Sequence, residues 1–190
     1  MSEYYQKLID AAISCGASKA VVIGAEKIVL SADFFDACKK NSCGNFGKCW
    51  MCPPDVGPIT EWMEKIRTFP HALWYQTIGE LEDSFDVEGM AEAGAKHAAL
   101  SQKLRRELSS LLPARTLHLT RGGCGVCERC AKRDNEPCRY PDLAMPSVES
   151  CGVNVYKTTE GTGLKYINGP DTVTYFGMIL FDDGEENCHA

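Results

Sequence analysis

Apolar residues recur at two periods along this chain, and the switches between them mark its elements. Over residues 3–15 (EYYQKLIDAAISC), Tyr4, Leu8, Ala11, Ala12 and Cys15 fall at helical spacing, and Gly16 supplies a stop. Residues 19–30 (KAVVIGAEKIVL) predict two short strands broken near Gly24–Lys27. Ser31 or Asp33 then caps a short helix carrying Phe34, Phe35 and Cys38. Pro58 starts a further helix with Ile59, Trp62, Met63, Ile66 and Phe69 on one side. Residues 71–79 (HALWYQTIG) predict a strand. The longest helix opens at Asp86 or Glu88 and ends before Pro113, burying Met90, Ala93, His97, Leu100, Leu104, Leu108 and Leu111.

The remainder follows the same logic. Residues 114–120 (ARTLHLT) predict a strand, and Ser147 with Glu149 or Ser150 opens a short helix ending at Cys151–Gly152. Residues 153–171 are rich in Gly and Thr and predict one helical turn and a loop. Residues 172–181 (TVTYFGMILF) form one of the most apolar runs, which places that strand centrally. The pattern predicts an α/β fold: one domain over 1–190, a small central sheet of about four to five strands, flanking helices and two cysteine-rich metal-binding loops. Those loops follow strand ends, as sites in open α/β sheets do.

Composition narrows the function classes. A net charge of −6 with scattered basic residues argues against a nucleic-acid partner. No basic stretch followed by an apolar one opens the chain, and no apolar run reaches bilayer length, so the expectation is a cytoplasmic protein without a membrane partner. Eleven cysteines in such a protein need a reason. A reducing compartment and an odd count argue against a disulfide framework. Nine of the eleven lie between 38 and 52 or between 124 and 151, and clustered thiolates point to iron–sulfur or zinc.

The second cluster, RGGCGVCERCAKRDNEPCRYP (121–141), spaces Cys124, Cys127 and Cys130 evenly and follows them with Cys138. Bacterial ferredoxins use the same triple around a [4Fe-4S] cluster. Zinc sites more often pair their cysteines in two separate knuckles. Gly122, Gly123 and Gly125 supply positive-φ freedom and let backbone N–H groups approach sulfur. The first cluster, CKKNSCGNFGKCWMCPP (38–54), offers Cys38, Cys43, Cys49 and Cys52 as a second complete set, with zinc a competitor because Cys49-x-x-Cys52 resembles half a knuckle. Cys151 reads equally as an extra ligand or a buried thiol, and Cys188 and His189 as tail residues outside either site.

Together these motifs resemble a prokaryotic family of cysteine-rich proteins labelled only as predicted metal-binding. The resemblance rests on an aromatic-Gly pair (Phe46-Gly47) before Cys52-Pro53-Pro54, the triple followed by Cys138-Arg139-Tyr140-Pro141, and Pro146-Ser147-Val148-Glu149-Ser150-Cys151-Gly152. It implies metal binding rather than any particular reaction, and Cys49 does not look like part of the shared pattern.

Two functions follow. One is an electron-transfer or redox accessory protein holding two [4Fe-4S] clusters and serving a redox partner protein. The other is an iron–sulfur-dependent oxidoreductase or lyase acting on a small molecule. In that reading Cys38, Cys43 and Cys52 leave one iron open, and the ferredoxin-like cluster supplies electrons. A structural zinc protein is a third. The sequence favours the carrier, with Cys49 as the fourth ligand, since a two-residue gap lets one tight turn present both sulfurs. It names no catalytic residue; Lys48 and Asp55 are the nearest acid–base groups.

Overall fold

A computed structural model describes residues 2–182. Its elements run α1 (Glu3–Cys15), β1 (Lys19–Gly24), α2 (Phe34–Lys39), α3 (Ile59–Arg67), β2 (His71–Glu80), α4 (Val87–Glu107), β3 (Thr116–Leu119), α5 (Val155–Thr159) and β4 (Thr172–Phe181). The fold is mixed α/β around one open four-stranded sheet of order β1-β2-β4-β3. The apolar run over 172–181 is an interior strand, as its composition predicts. The two ten-residue strands form the centre, paired from His71↔Phe181 to Glu80↔Thr172.

Every strand pair is antiparallel. The rule of a shared carboxyl edge therefore has no purchase here, because neighbouring strands end on opposite sides of the sheet. Of the two strands expected over 19–30, only the first forms. Residues 25–27 turn into a 3-10 helix, and Leu30 contributes a single bridge to Val153.

Alternation along β2 divides the core into two layers. Leu73 and Tyr75 join Leu8 and Ala12 of α1, Leu100 and Leu104 of α4, and Leu108 just beyond it. Ala72 and Trp74 face the other way, onto Ile66 of α3, Phe69 and Val148, Cys151 and Val153. Trp74 and Tyr75 are both fully buried. A large aromatic ring buries roughly 150–250 Å², so these two supply much of the apolar burial on their faces.

α4 ends at Glu107 and loosens into turns through Leu112, which leaves Leu111 39% exposed. Its start is fixed by Asp86, whose side chain accepts the Gly89 N–H at 2.7 Å. Residues 147–152 make turns rather than the short helix predicted. Ser147 spends its hydroxyl on the Ser150 N–H, and Thr120 draws the segment to the sheet by accepting the Val148 N–H at 2.8 Å. Those bonds place the chain after β3 beside residues 146–151, and both segments share a cavity wall with the loop at 38–57.

Candidate metal centre

The first cysteine loop is folded by its own turns. Asn41 accepts the Phe46 N–H through its side chain at 3.0 Å, the Gly47 N–H reaches Pro53 O at 2.9 Å, and the Cys52 N–H reaches Cys49 O at 3.0 Å. The last of these is the tight turn expected between the two cysteines. In the second loop Gly122 and Gly125 take positive φ, at 57° and 69°. Gly123 matters for a different reason. A side chain there would meet the Asn45 amide, so its bareness lets the two loops touch.

A staple joins the loops. Lys132 pairs with Asp55 at 2.5 Å, with both side chains largely buried, and its ammonium lies 4.4 Å from the Trp50 ring centre. The Trp50 indole N–H donates to Glu136 O at 2.9 Å. Asp55 is therefore a loop-joining ion-pair partner, and Lys48 is solvent-exposed. Neither lines the cavity beside Cys38, Cys43 and Cys52.

The cysteines sort into two adjoining sets. Cys38, Cys43 and Cys52 line a cavity of about 400 Å³ whose other walls include Phe34, Phe46, Arg121, Glu149 and Tyr175. Cys49 does not line it. Together with Cys124, Cys127, Cys130 and Cys138, Cys49 lines a small recess of about 30 Å³. The Cys52 and Cys130 thiols and the Cys124 and Met51 N–H groups lie close enough to the Cys49 sulfur to stabilise its thiolate. It sits between the sets. These donors hold its pKa below the ordinary thiol range against the opposing effect of burial.

The Cys52 thiol is pushed up, first by donating to Cys49 and then by burial. Burial likewise raises Cys38 and Cys124, the latter despite N–H groups from Val126 and Met145 on its sulfur. Backbone N–H groups aimed at buried sulfurs are what thiolate-ligated clusters use. Soft donors and that second layer fit an iron–sulfur or zinc centre. Among the described residues, no three His, Cys, Asp or Glu side chains stand close enough to hold a single ion as placed.

The chain belongs to the family of predicted metal-binding proteins (DUF2284), whose pattern matches residues 21–181. No curated protein and no solved structure matches the chain. The match spans both cysteine sets and the whole sheet except the first two residues of β1. Among the described residues, no helix is long and apolar enough to cross a membrane.

Of the remaining candidates, Cys151 is wholly buried among Ile66, Val148 and Val153, and burial pushes its pKa up to about 12. It is a core thiol. Cys188 and His189 lie outside the described residues. Arg129 and Arg139, which flank the end of the triple and Cys138, are tied to Asp134 and Glu136. Sequence reasoning misses Glu149 as a cavity residue; burial raises its pKa. Its only signal is an acidic residue in an otherwise apolar, serine-flanked segment.

Proposed function

We propose that this protein is an iron–sulfur redox protein with two cysteine-held centres, one of them open to a small-molecule cavity. Cys124, Cys127, Cys130 and Cys138 would hold a closed [4Fe-4S] cluster. Cys38, Cys43 and Cys52 would hold the second. What carries this reading is the sorting of the thiols: Cys49 turns from its own loop toward the other set. Three cysteines then face the cavity. When bound, the clusters supply one-electron transfer, and the three-cysteine one also an iron free of protein thiolate.

The chain's own groups support these roles. Backbone N–H groups and the Cys49 thiol surround the closed set, the kind of hydrogen bonding that tunes a cluster's potential. Cys49 lies between the sets, beside Cys52 of one and Cys130 of the other, with the Cys124 N–H directed at its sulfur. The carrier reading requires a fourth ligand on the first centre, and Cys49 is the nearest thiol in sequence. Its engagement with Cys124 and Cys130 favours the open centre instead.

The test is elemental analysis of anaerobically purified protein. About eight iron atoms and eight labile sulfides per chain are expected for two cubes. Stoichiometric zinc without sulfide would remove the redox reading and leave a structural zinc protein.

A further inference from the structure

We infer that the cavity beside Cys38, Cys43 and Cys52 binds a small organic monocarboxylate, gripped by the guanidinium of Arg121. The inference builds on the reading of the three-cysteine centre as open, and names what approaches it. Arg121 lines that cavity and is half-buried. Its Nε donates to Gly94 O at 3.1 Å, and its guanidinium carbon lies 4.8 Å from the ring centre of Tyr175. Among the described residues, the two terminal nitrogens have no hydrogen-bond partner and no carboxylate stands within ion-pair reach. Glu149 feels the guanidinium charge, but from beyond that distance.

Among the described residues, Arg67, Arg105, Arg106 and Arg133 also lack a carboxylate partner but are exposed, whereas Arg121 is half-buried. Around the other recess, Arg129, Lys132 and Arg139 are each neutralised by a carboxylate. A guanidinium withdrawn from water without a paired counterion is costly, and its planar fork matches a carboxylate in two parallel hydrogen bonds. The fork is also fixed before any ligand arrives. It packs between the Tyr175 ring and the α4 backbone at Gly94, where a Cβ would overlap it. Gly94 is buried inside a helix, a position where glycine ordinarily weakens the helix, so this packing gives it a reason.

The other walls select the class. Phe34, Ala37, Phe46 and Pro53 make an apolar side for a hydrocarbon body. One guanidinium balances one carboxylate, whereas the second charge of a phosphate dianion would meet apolar walls without a partner. The cavity volume of about 400 Å³ has to take the proposed cluster as well, which restricts the ligand to a small molecule.

The test is calorimetric titration of the metal-loaded protein, kept anaerobic, with acetate, benzoate and phenylacetate, using benzamide and inorganic phosphate as controls. At least one carboxylate is expected to bind more tightly than both controls. Arg121→Gln should weaken it by about tenfold or more, the effect of losing a charge-assisted hydrogen bond. Gly94→Ala should weaken it too, since it displaces the fork while leaving its charge in place. If none of the three carboxylates binds, if phosphate binds as well as they do, or if Arg121→Gln and Gly94→Ala leave binding unchanged, the inference is wrong. Loss of iron from Arg121→Gln without any carboxylate binding to the parent protein would also overturn it, assigning Arg121 to cluster charge balance. The electron-spin spectrum of the reduced protein separates the two readings. A carboxylate that binds through Arg121 without perturbing that spectrum keeps the binding site and removes the open iron.

Discussion

Cys49 decides between the two functional readings, and it can be tested alone. Its sulfur lies between Cys52 and Cys130 and faces the Cys124 N–H, and in the proposed open-centre reading it ligates neither cluster. Cys49→Ala should therefore keep its full iron content, with a shifted reduction potential and a first-centre spectrum otherwise like that of the parent. Loss of about four irons would make Cys49 a ligand and return the protein to the carrier class. Cys127→Ser gives the contrasting result: it should lose one centre, about four irons, and leave the other intact. Full retention of iron in that variant would show that Cys127 holds nothing.

At the scale of elements, α4 meets the sheet through a polar seam inside an otherwise apolar layer. Tyr75 Oη shares hydrogen bonds of 2.8 Å with Ser101 and with His118, Ser101 bonds Thr120, and Thr77 bonds His97. His97 and His118 are both pushed down to about 3, chiefly by burial. The sign follows from where protons bind. Below about pH 6.5, the unfolded chain takes up protons that the folded chain refuses, so stability falls with pH until the folded values are reached. His97 alone should account for a loss of about 2 kcal/mol of stability between about pH 6.5 and pH 5. His97→Gln should be less stable at pH 7 but shallower in its acid loss by that amount, in denaturant melts of both proteins at each pH. Parallel acid profiles would show that His97 is not held neutral.

Over the whole molecule, the sheet and the cysteine loops are separate stability problems. The sheet has two apolar layers, whereas the loops are tied by turns and by the Lys132–Asp55 staple under Trp50. Breaking one member of a buried ion pair costs on the order of 3–5 kcal/mol, because the other charge is left unpaired. Asp55→Asn should accordingly speed hydrogen exchange across residues 38–57 and 121–146 while β2 and β4 stay protected. With the proposed clusters in place, removing iron with a chelator under reducing conditions should act on the same two segments, since the proposed ligands are local to them. Uniform acceleration across β2 and β4 in either experiment would mean that loops and sheet unfold as one unit.

How much of this was legible in the sequence depends on the range of the forces involved. α1, α3, β2 and β4 carry a 3.6- or 2-residue period, or a continuous apolar run, and local periodicity is enough to place them. The turns at 40–57 and 121–130 were legible from their glycines and prolines, which punctuate structure locally. Strand direction was not legible, because antiparallel pairing is set by which strand ends the loops can join. Nor was the turn structure at 147–152, where a short helix was expected; Thr120 and Ser147 bind the backbone there and hold it in turns.

The sequence by itself determined that this protein presents two dense sets of soft thiolate donors on a mixed α/β frame, because ligand type and spacing are local properties. Only the tertiary structure decided how those thiols divide. Cys49 and Cys52 are two residues apart and share one tight turn, yet one lines the recess with Cys124 and the other the cavity with Arg121. That division depends on Gly123 letting the loops touch, on the Lys132–Asp55 staple, and on β3 delivering residue 121 beside Tyr175. All are contacts between residues far apart in the chain, and no local pattern encodes them.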